Sequence, residues 1–304
     1  LDQGVIKNQE LQRYFINLSD DVKLHKNIKL GFNLNFMRQR IPFSQANGLL
    51  FDARRVLPIT PTMDPTGRFY TELAIQSAQI GNPLMRLESL HDKERIFENR
   101  YVGNIYLDFT FLKHFNFRST FYADQSVQET QRYNPILYVF NPSVGANGSV
   151  YVDRNYRLTS VDQNTQRWNK FQQDHILTYK NSFGDHSLTA TAGFTTVYNR
   201  YDGLFGTVRQ RADGDSIGND RRFWYVNTLL GDPTTRRSSG SQWENSVAGL
   251  LFRALYNYQN KYYFNASFRR DGSSQISPAE RWQNYYSVGA AWEVTRENFM
   301  QNQK

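Results

Sequence analysis

The densest group of carboxylates in this sequence lies between Asp213 and Asp220, in the run Asp-Gly-Asp-Ser-Ile-Gly-Asn-Asp. This density would suit a calcium ion, which takes 6–8 oxygen ligands. A calcium loop of the EF-hand type, however, needs an oxygen donor where Ile217 stands, and no Glu follows at the required spacing. The sequence therefore favours a solvated loop, and it leaves open whether a calcium ion binds at 213–220.

Other groups that carry out catalysis or hold metals are missing. The five histidines are scattered without metal-like pairs, and the absence of cysteine excludes thiolate sites. No Gly-x-Ser-x-Gly elbow, P-loop or Gly-x-Gly-x-x-Gly segment occurs. The sequence predicts no catalytic residue, no metal site, no cofactor and no enzymatic activity. Nucleic-acid binding is not expected either, because the +8 charge is dispersed and no basic run exceeds two residues.

One aromatic and basic run is a candidate for recognition. Rings stack on sugar faces or pack against peptides, and arginines supply donors in a fixed geometry. The run at 221–225 combines both, and its predicted substrate-binding residues are Arg221, Arg222, Trp224 and Tyr225. An equally weighted alternative is that this run packs on neighbouring loops or on a partner protein.

The elements that must position these residues are indicated by a strict alternation of apolar and polar residues. The alternation is clearest in Asn27–Gln39 and Tyr101–Phe111, and it is typical of strands with two different faces. A strand tilted by about 45° needs roughly 9–11 residues to cross a membrane, and the alternating segments reach that length. Nine strands are predicted, near residues 9–18, 27–39, 99–111, 115–129, 169–182, 187–200, 244–258, 261–271 and 283–294.

The connections between these strands alternate in length. The short ones are Ser19–Lys26, Leu112–His114, Phe183–His186 and the turn at Gln259–Asn260. The long ones span about 40–98, 130–168 and 201–243, with a medium connection at 272–282. Antiparallel hairpins in a transmembrane barrel produce this asymmetry, with short periplasmic turns and long extracellular loops. Within the first long connection, 83–100 is expected to form a short helix or an inward-folding hinge loop.

The composition agrees with a barrel in an outer membrane. Hydrophobic residues make up 39% of the chain and aromatic residues 15%, as expected where aromatic girdles flank a lipid-facing band. No apolar run reaches the length of a transmembrane helix, and no signal peptide is visible. Because single-chain bacterial barrels have an even number of strands, nine strands predict a piece of a larger barrel. The predicted fold is thus an all-β, antiparallel transmembrane β-barrel segment that spans residues 1–304.

The polar positions of the alternating strands are expected to face the barrel lumen. Arg269 begins the run Arg-Arg-Asp-Gly-Ser-Ser, in which the arginines would line a substrate path or, as the preferred interpretation, the Asp-Gly-Ser-Ser part begins a turn. The predicted lumen-facing residues are Asn33, Asn104, Asp108, Arg118 and Arg269.

A family resemblance is carried by the C-terminal strands. Tyr258-Gln-Asn-Lys-Tyr-Tyr-Phe-Asn-Ala-Ser-Phe-Arg-Arg-Asp-Gly-Ser-Ser274 is followed by Arg281-Trp282, Tyr286-Ser-Val-Gly-Ala-Ala-Trp292 and Glu297-Asn-Phe-Met300. These segments, with Phe183-Gly-Asp-His-Ser-Leu188 and Ala192-Gly-Phe194, resemble the barrel of SusC/RagA-type TonB-dependent transporters. The resemblance is strongest over residues 169–300.

This resemblance implies a 22-stranded barrel in the bacterial outer membrane, filled by an N-terminal plug that is absent from this segment. It implies TonB-dependent import of oligosaccharides or peptides with a SusD-like surface lipoprotein as a lid. The TonB complex would be contacted through regions outside these residues. The alternative from another class is a surface binding or adhesion β-protein without transport.

Overall fold

The computed structural model describes residues 2–3, 6–42, 46–71, 82–144, 147–153 and 156–300. Two α-helices lie in these ranges, α1 (Ala46–Ala53) and α2 (Pro83–Leu90). No helix among the described residues is both long and apolar enough to span a membrane. The strands are β1 (Asp2–Gln3), β2 (Glu10–His25), β3 (Ile28–Ile41), β4 (Glu94–Phe111), β5 (Phe115–Asn134), β6 (Tyr138–Asn141), β7 (Ser149–Val152), β8 (Ser160–Phe183), β9 (His186–Arg209), β10 (Arg237–Tyr258), β11 (Tyr262–Ser273) and β12 (Trp282–Trp292).

A single antiparallel sheet contains ten of these strands, in the order β1-β2-β3-β4-β5-β8-β9-β10-β11-β12. The strands β6 and β7 pair with each other in a separate hairpin. Apart from the two-residue β1, the sheet consists of nine long strands. These long strands are adjacent in the sheet in the same order as in the sequence. The predicted all-β, antiparallel fold with nine strands is confirmed.

All tight turns lie at one end of the sheet, called here the turn end. Two of them place consecutive non-glycine residues at positive φ, Leu112 and Lys113 at 48° and 62° and Gln259 and Asn260 at 51° and 54°. Two such residues in succession match the right-handed twist of the strands that they join. In the turn between β8 and β9, Gly184 adopts φ 57°, a backbone conformation that causes no steric strain in glycine.

The opposite end, called here the loop end, carries the longer connections. These are loop 1 (42–93), loop 2 (135–159), loop 3 (210–236) and loop 4 (274–281). Because the strands alternate in direction, every second connection lies at this end. The asymmetry predicted from the connection lengths is therefore present, although each loop is shorter than predicted.

The first predicted turn is wrong in its extent. Ser19–Lys26 contains adjacent polar residues and looked like a turn, but β2 continues to His25. Asp21 pairs in register with Gly31 and forms an ion pair with Lys29 at 2.7 Å. Ser19, Asp21 and Lys23 thus lie on the polar face of a strand and Asp20 on the other face, and each has a cross-strand partner.

Strands also extend further toward the loop end than predicted. β8 begins at Ser160 rather than near 169, and β9 continues to Arg209 rather than to 200. The pairing of β8 with β9 remains unbroken from Ser160↔Arg209 to Phe183↔His186. The apolar-polar alternation ends earlier because residues 162–167 of β8 are polar on both faces and β9 places Leu204 and Phe205 next to each other on opposite faces, whereas the backbone hydrogen bonds need no alternation.

One face of the sheet, called here the aromatic face, collects the large apolar side chains. Register partners lie on the same face, and an even spacing along a strand preserves the face. The face includes Phe36, Tyr101, Phe117, Phe252 and Phe268, and Tyr101 and Phe252 are 54% and 48% exposed. Exposed apolar surface on this scale marks contact with a membrane or with another protein.

Rings also border this face at both ends. Toward the turn end, Phe109, Phe111, Phe115 and Tyr179 follow one another with centroids 4.9–5.4 Å apart. Toward the loop end, Phe36 lies 5.1 Å from Tyr101. The stretch from Tyr101 to Phe111 fits the roughly 9–11 residues that a tilted strand needs to cross the hydrocarbon layer. Charged residues on this face include Asp20, opposite Phe32, and Arg270, whose guanidinium lies over Trp282.

Loops 1 and 2 share a small core of their own. Its buried residues are Leu49, Met85, Leu90, Leu137 and Val139. Asn82 fixes the start of α2, since its side chain accepts a hydrogen bond from the Met85 backbone and donates to the Thr62 and Tyr70 carbonyls. The short helix expected within 83–100 is present as Pro83–Leu90, and the rest of that range enters β4.

Candidate functional site

The polar face of the sheet, opposite the aromatic face, contains all five predicted lumen-facing residues. Asn33 and Asn104 are direct register partners, and so are Asp108 and Arg118. Arg269 lies in the same row as Arg118, through the partners Ile176, Gly193 and Leu251. Four strand spacings of about 4.8 Å separate Arg118 from Arg269, roughly 19 Å.

Several arginines on this face are held by carboxylates. Arg118 binds Asp108 at 2.6 Å, and Arg100 binds Asp124 through two hydrogen bonds of 2.6 and 2.8 Å. Pairs with this two-point geometry restrict both side chains and are the stronger kind of charged hydrogen bond. The charges of Arg100 and Arg118 are therefore neutralised within the polar face.

Two glycines leave room for polar side chains of neighbouring strands. The Tyr106 hydroxyl donates a hydrogen bond to Asp21 by reaching over Gly31 on the intervening strand. A Cβ on Gly31 would lie 2.3 Å from both the Asp21 carboxylate and the Tyr106 ring. Gly249 does the same for Asp271, whose carboxylate oxygen would lie 2.4 Å from an added Cβ.

Arg269 pairs within its own strand. Its Nε donates to both carboxylate oxygens of Asp271, at 2.7 and 2.8 Å. The run that begins at Arg269 does not turn where expected, because β11 continues through Gly272 to Ser273. The turn predicted from Asp-Gly-Ser-Ser therefore starts about two residues later, in loop 4.

Three neighbouring rings on the polar face were not predicted from the sequence. Trp168, Tyr201 and Trp243 are register partners on β8, β9 and β10, with centroids 5.4 and 5.8 Å apart. Below them, toward the turn end, lie Lys170 and Asn199, which border a cavity of about 320 Å³. No local sequence pattern indicates this group, because its three residues lie on three different strands and their proximity depends on the strand register.

The run at 221–225 lies on the other side of the sheet. Loop 3 packs on Tyr133, Val161 and Val208 at the loop end. These three are register partners, and Tyr133 shares the face of β5 that carries Phe117. The predicted substrate-binding segment thus lies beyond the aromatic face and away from the polar face.

Trp224 is the anchor of this loop rather than an open platform. It is 2% exposed and stacks on Tyr133, with ring planes 8° apart and centroids 5.8 Å apart. Because both faces of the indole are enclosed, the prediction that Trp224 binds a substrate is not supported. The packing alternative fits it instead, whereas Arg221, Arg222 and Tyr225 remain exposed.

One carboxylate of 213–220, that of Asp220, is bound within the loop. The side chain and backbone of Arg222 hydrogen bond to Asp220 and lower the pKa of that carboxyl to about 2. Ile217 is fully buried, its backbone N–H bonds Thr159, and its carbonyl accepts from the Tyr133 hydroxyl. Across the described ranges, no group of three or more His, Cys, Asp or Glu side chains is arranged to hold a metal ion.

Sequence comparison finds relatives along the whole chain. The TonB-dependent receptor P26 of Formosa agariphila is 26% identical over 312 residues, covering 99% of this chain and 28% of that protein. The TonB-dependent receptor SusC of Bacteroides thetaiotaomicron is 23% identical, covering 99% of this chain and 29% of that protein. The chain therefore spans less than a third of the length of these curated relatives. No family model matches.

Solved structures show the same fold. The RagAB peptide transporter superposes with a TM-score of 0.73 at 14% identity, over 96% of this chain and 31% of that one. The RagAB peptide importer in its 'open-open' state superposes with a TM-score of 0.70, also at 14% identity. The relatives that match along the whole chain are named TonB-dependent receptors, and RagAB shares the sheet. These two findings confirm the resemblance predicted from the sequence. Over nearly its whole length this chain is similar to TonB-dependent receptors, SusC among them, and it has the fold of the β-barrel part of the RagAB structure.

Proposed function

We propose that the protein containing this chain imports oligosaccharides or peptides across the bacterial outer membrane. In this proposal the import is TonB-dependent, and a SusD-like surface lipoprotein binds at the loop end. The observation that carries the proposal is the two-faced sheet. One face is aromatic and exposed, as contact with lipid requires, and the other is polar, with several of its charges paired on the face itself, as a wet lumen allows.

The predicted polar residues have a defined place in this proposal. When the sheet continues into a closed barrel, the polar face turns toward the lumen and the plug. Asn33 and Asn104 then offer neutral amides, while Asp108, Arg118 and Arg269 form fixed ion pairs. Relatives named TonB-dependent receptors and a solved peptide transporter support transport over simple adhesion.

The test uses the full-length protein that contains this chain. We expect it to fractionate with outer membranes and, after extraction in mild detergent, to co-purify with a lipoprotein identified by mass spectrometry. Uptake of labelled oligosaccharide and peptide pools into cells should fall to background when TonB is deleted. A protein that binds such ligands at the surface equally well with and without TonB, and never internalises them, would contradict import.

A further inference from the structure

Four arginines gather at the loop end of the aromatic face, just beyond the apolar band. Arg38 and Arg95 both lie over the ring of Phe97, with guanidinium carbons 5.8 and 5.0 Å from its centroid. Arg40 is the register partner of Phe97. Arg221 approaches from loop 3, and burial together with the charges of Arg221 and Arg40 lowers the pKa of Arg95. These residues (Arg38, Arg40, Arg95, Arg221) are called here the arginine cluster.

The cluster differs from Arg100, Arg118 and Arg269 of the polar face, each of which forms an ion pair with an aspartate. Within the part of the chain that the structure describes, none of the four guanidinium groups forms an ion pair. Two carboxylates face the cluster: Glu129, the partner of Phe97 on β5, and Glu10 on β2, two residues before the partner of Arg40 and beside the same cavity as Arg40. Neither forms an ion pair with the four arginines. Like charges held together without counterions repel one another, so an external anion would stabilise this arrangement.

The height of the arginine cluster above the apolar band indicates the kind of anion that it binds. The apolar band ends at Phe36 and Tyr101, and Arg38 and Arg40 follow Phe36 by two and four residues. At about 3.4 Å per residue they stand roughly 7 and 14 Å further along the strand, or about 5 and 10 Å higher after a 45° tilt. The headgroup layer of a bilayer occupies roughly 5–7 Å on each side of the hydrocarbon, so Arg38 stands within this layer and Arg40 just above it.

We infer that the arginine cluster binds the phosphate groups of a phosphorylated glycolipid in the outer leaflet of the membrane. Guanidinium groups match phosphate oxygens in a two-point geometry. The cluster faces the same side as the exposed rings, so a lipid whose acyl chains lie against Tyr101 and Phe36 brings its headgroup to Arg38. The inference depends on the proposed function only in placing the protein in the outer membrane.

The test compares two triple variants of the full-length protein that carry the same change in charge. Arg38→Gln/Arg40→Gln/Arg95→Gln removes the core of the cluster. Arg222→Gln/Arg236→Gln/Arg237→Gln removes three exposed arginines of loop 3 and its junction with β10, outside the cluster. Phosphorylated glycolipid bound per protein is counted by mass spectrometry after purification in mild detergent, and heat-dependent gel mobility checks that each barrel is folded.

We expect the cluster variant to lose about tenfold or more of its bound glycolipid, and the matched control to keep it. Equal retention in both variants overturns the inference. Equal binding of purified glycolipid with and without its phosphates also overturns the inference. The same holds if millimolar inorganic phosphate alone displaces the glycolipid, or if the cluster variant loses a co-purifying lipoprotein while glycolipid stays bound. If the triple variant does not fold, the single change Arg40→Gln at an exposed position is used, with Arg222→Gln as its control.

Uptake is measured in the same cells, so that the two proposals are tested separately. Glycolipid loss with unchanged uptake supports the cluster as a lipid site and leaves import intact. Normal glycolipid binding by a protein that imports nothing would instead count against the proposed function alone.

Discussion

At the residue scale, aspartates organise the loops. Each of three aspartates accepts a hydrogen bond from the backbone N–H two residues further along, which is a turn geometry that Asp favours. The pairs are Asp64–Thr66, Asp220–Arg222 and Asp232–Thr234. The pKa of each of these carboxyl groups lies below its ordinary value because the charged form accepts these bonds.

Asp64 gives a prediction about pH. Burial alone would raise its pKa, but hydrogen bonds from Arg68 and Thr66 outweigh burial and lower the pKa to about 2 from an ordinary 3.8. Since the folded pKa is the lower one, the stabilisation is complete above pH 3.8 and is lost as the pH falls toward 2. Hydrogen-exchange protection of the loop 1 amides at 64–68 should therefore fall in this window. Asp64→Asn should show low protection at every pH, whereas Asp92→Asn, an exposed control, should behave like the unchanged protein.

Gly31 gives a second residue-scale prediction. Gly31→Ala places a methyl group against Asp21 and Tyr106 and displaces their hydrogen bond. We expect the free energy of unfolding to fall by about 1–3 kcal/mol, measured by urea titration of the full-length protein in lipid. In the control Gly240→Ala the nearest atom is 3.5 Å from the new Cβ, so a change above about 0.5 kcal/mol there would contradict this steric explanation.

At the element scale, the loops are held by anchors that are distant in sequence. Loop 3 buries Trp224 and Ile217 on three strands, and loop 1 is joined to loop 2 by the guanidinium of Arg68, 3.8 Å from the Phe140 ring centroid. These contacts fix the described parts of loops 1, 2 and 3 on the sheet or on one another.

Trp224→Ala should release loop 3 without unfolding the sheet. Removing a buried Trp costs about 3–5 kcal/mol, and this cost falls on the packing of the loop. Limited proteolysis should then cleave within 210–236 at least tenfold faster, while the sheet stays resistant. Phe223→Ala, which removes a ring that is 41% exposed, should change the rate little. Equal rates in the two variants would mean that Trp224 does not anchor the loop.

The sequence predicted the strands well and the loop packing poorly, for a physical reason. Alternation in 27–39 or 99–111 is local, so the period of two can be read directly. The contact of Trp224 with Tyr133 spans 91 positions along the chain, and nothing local specifies it. The extension of β2 past Ser19 was missed because adjacent polar residues resemble a turn until Gly31 and Tyr106 are known to face them.

At the scale of the whole molecule, the two faces predict opposite responses to the same substitution. Ile105 is 48% exposed on the aromatic face, and its sequence neighbour Asn104 lies on the polar face. Ile105→Arg should destabilise the full-length protein in lipid by about 2–4 kcal/mol, the cost of an arginine near the bilayer midplane. Asn104→Arg should be tolerated within about 1 kcal/mol. Both are measured by urea unfolding in vesicles, and equal costs would contradict a lipid-facing aromatic face.

The order of the sheet also sets how the structure can be built. Each long strand pairs with the long strands before and after it in the chain, and the β6–β7 hairpin is the one excursion among the described residues. Each tight turn therefore closes a hairpin whose two strands can pair before the next hairpin arrives. Such a sheet can grow at its free edge as the chain is delivered, two strands at a time, without waiting for a distant partner.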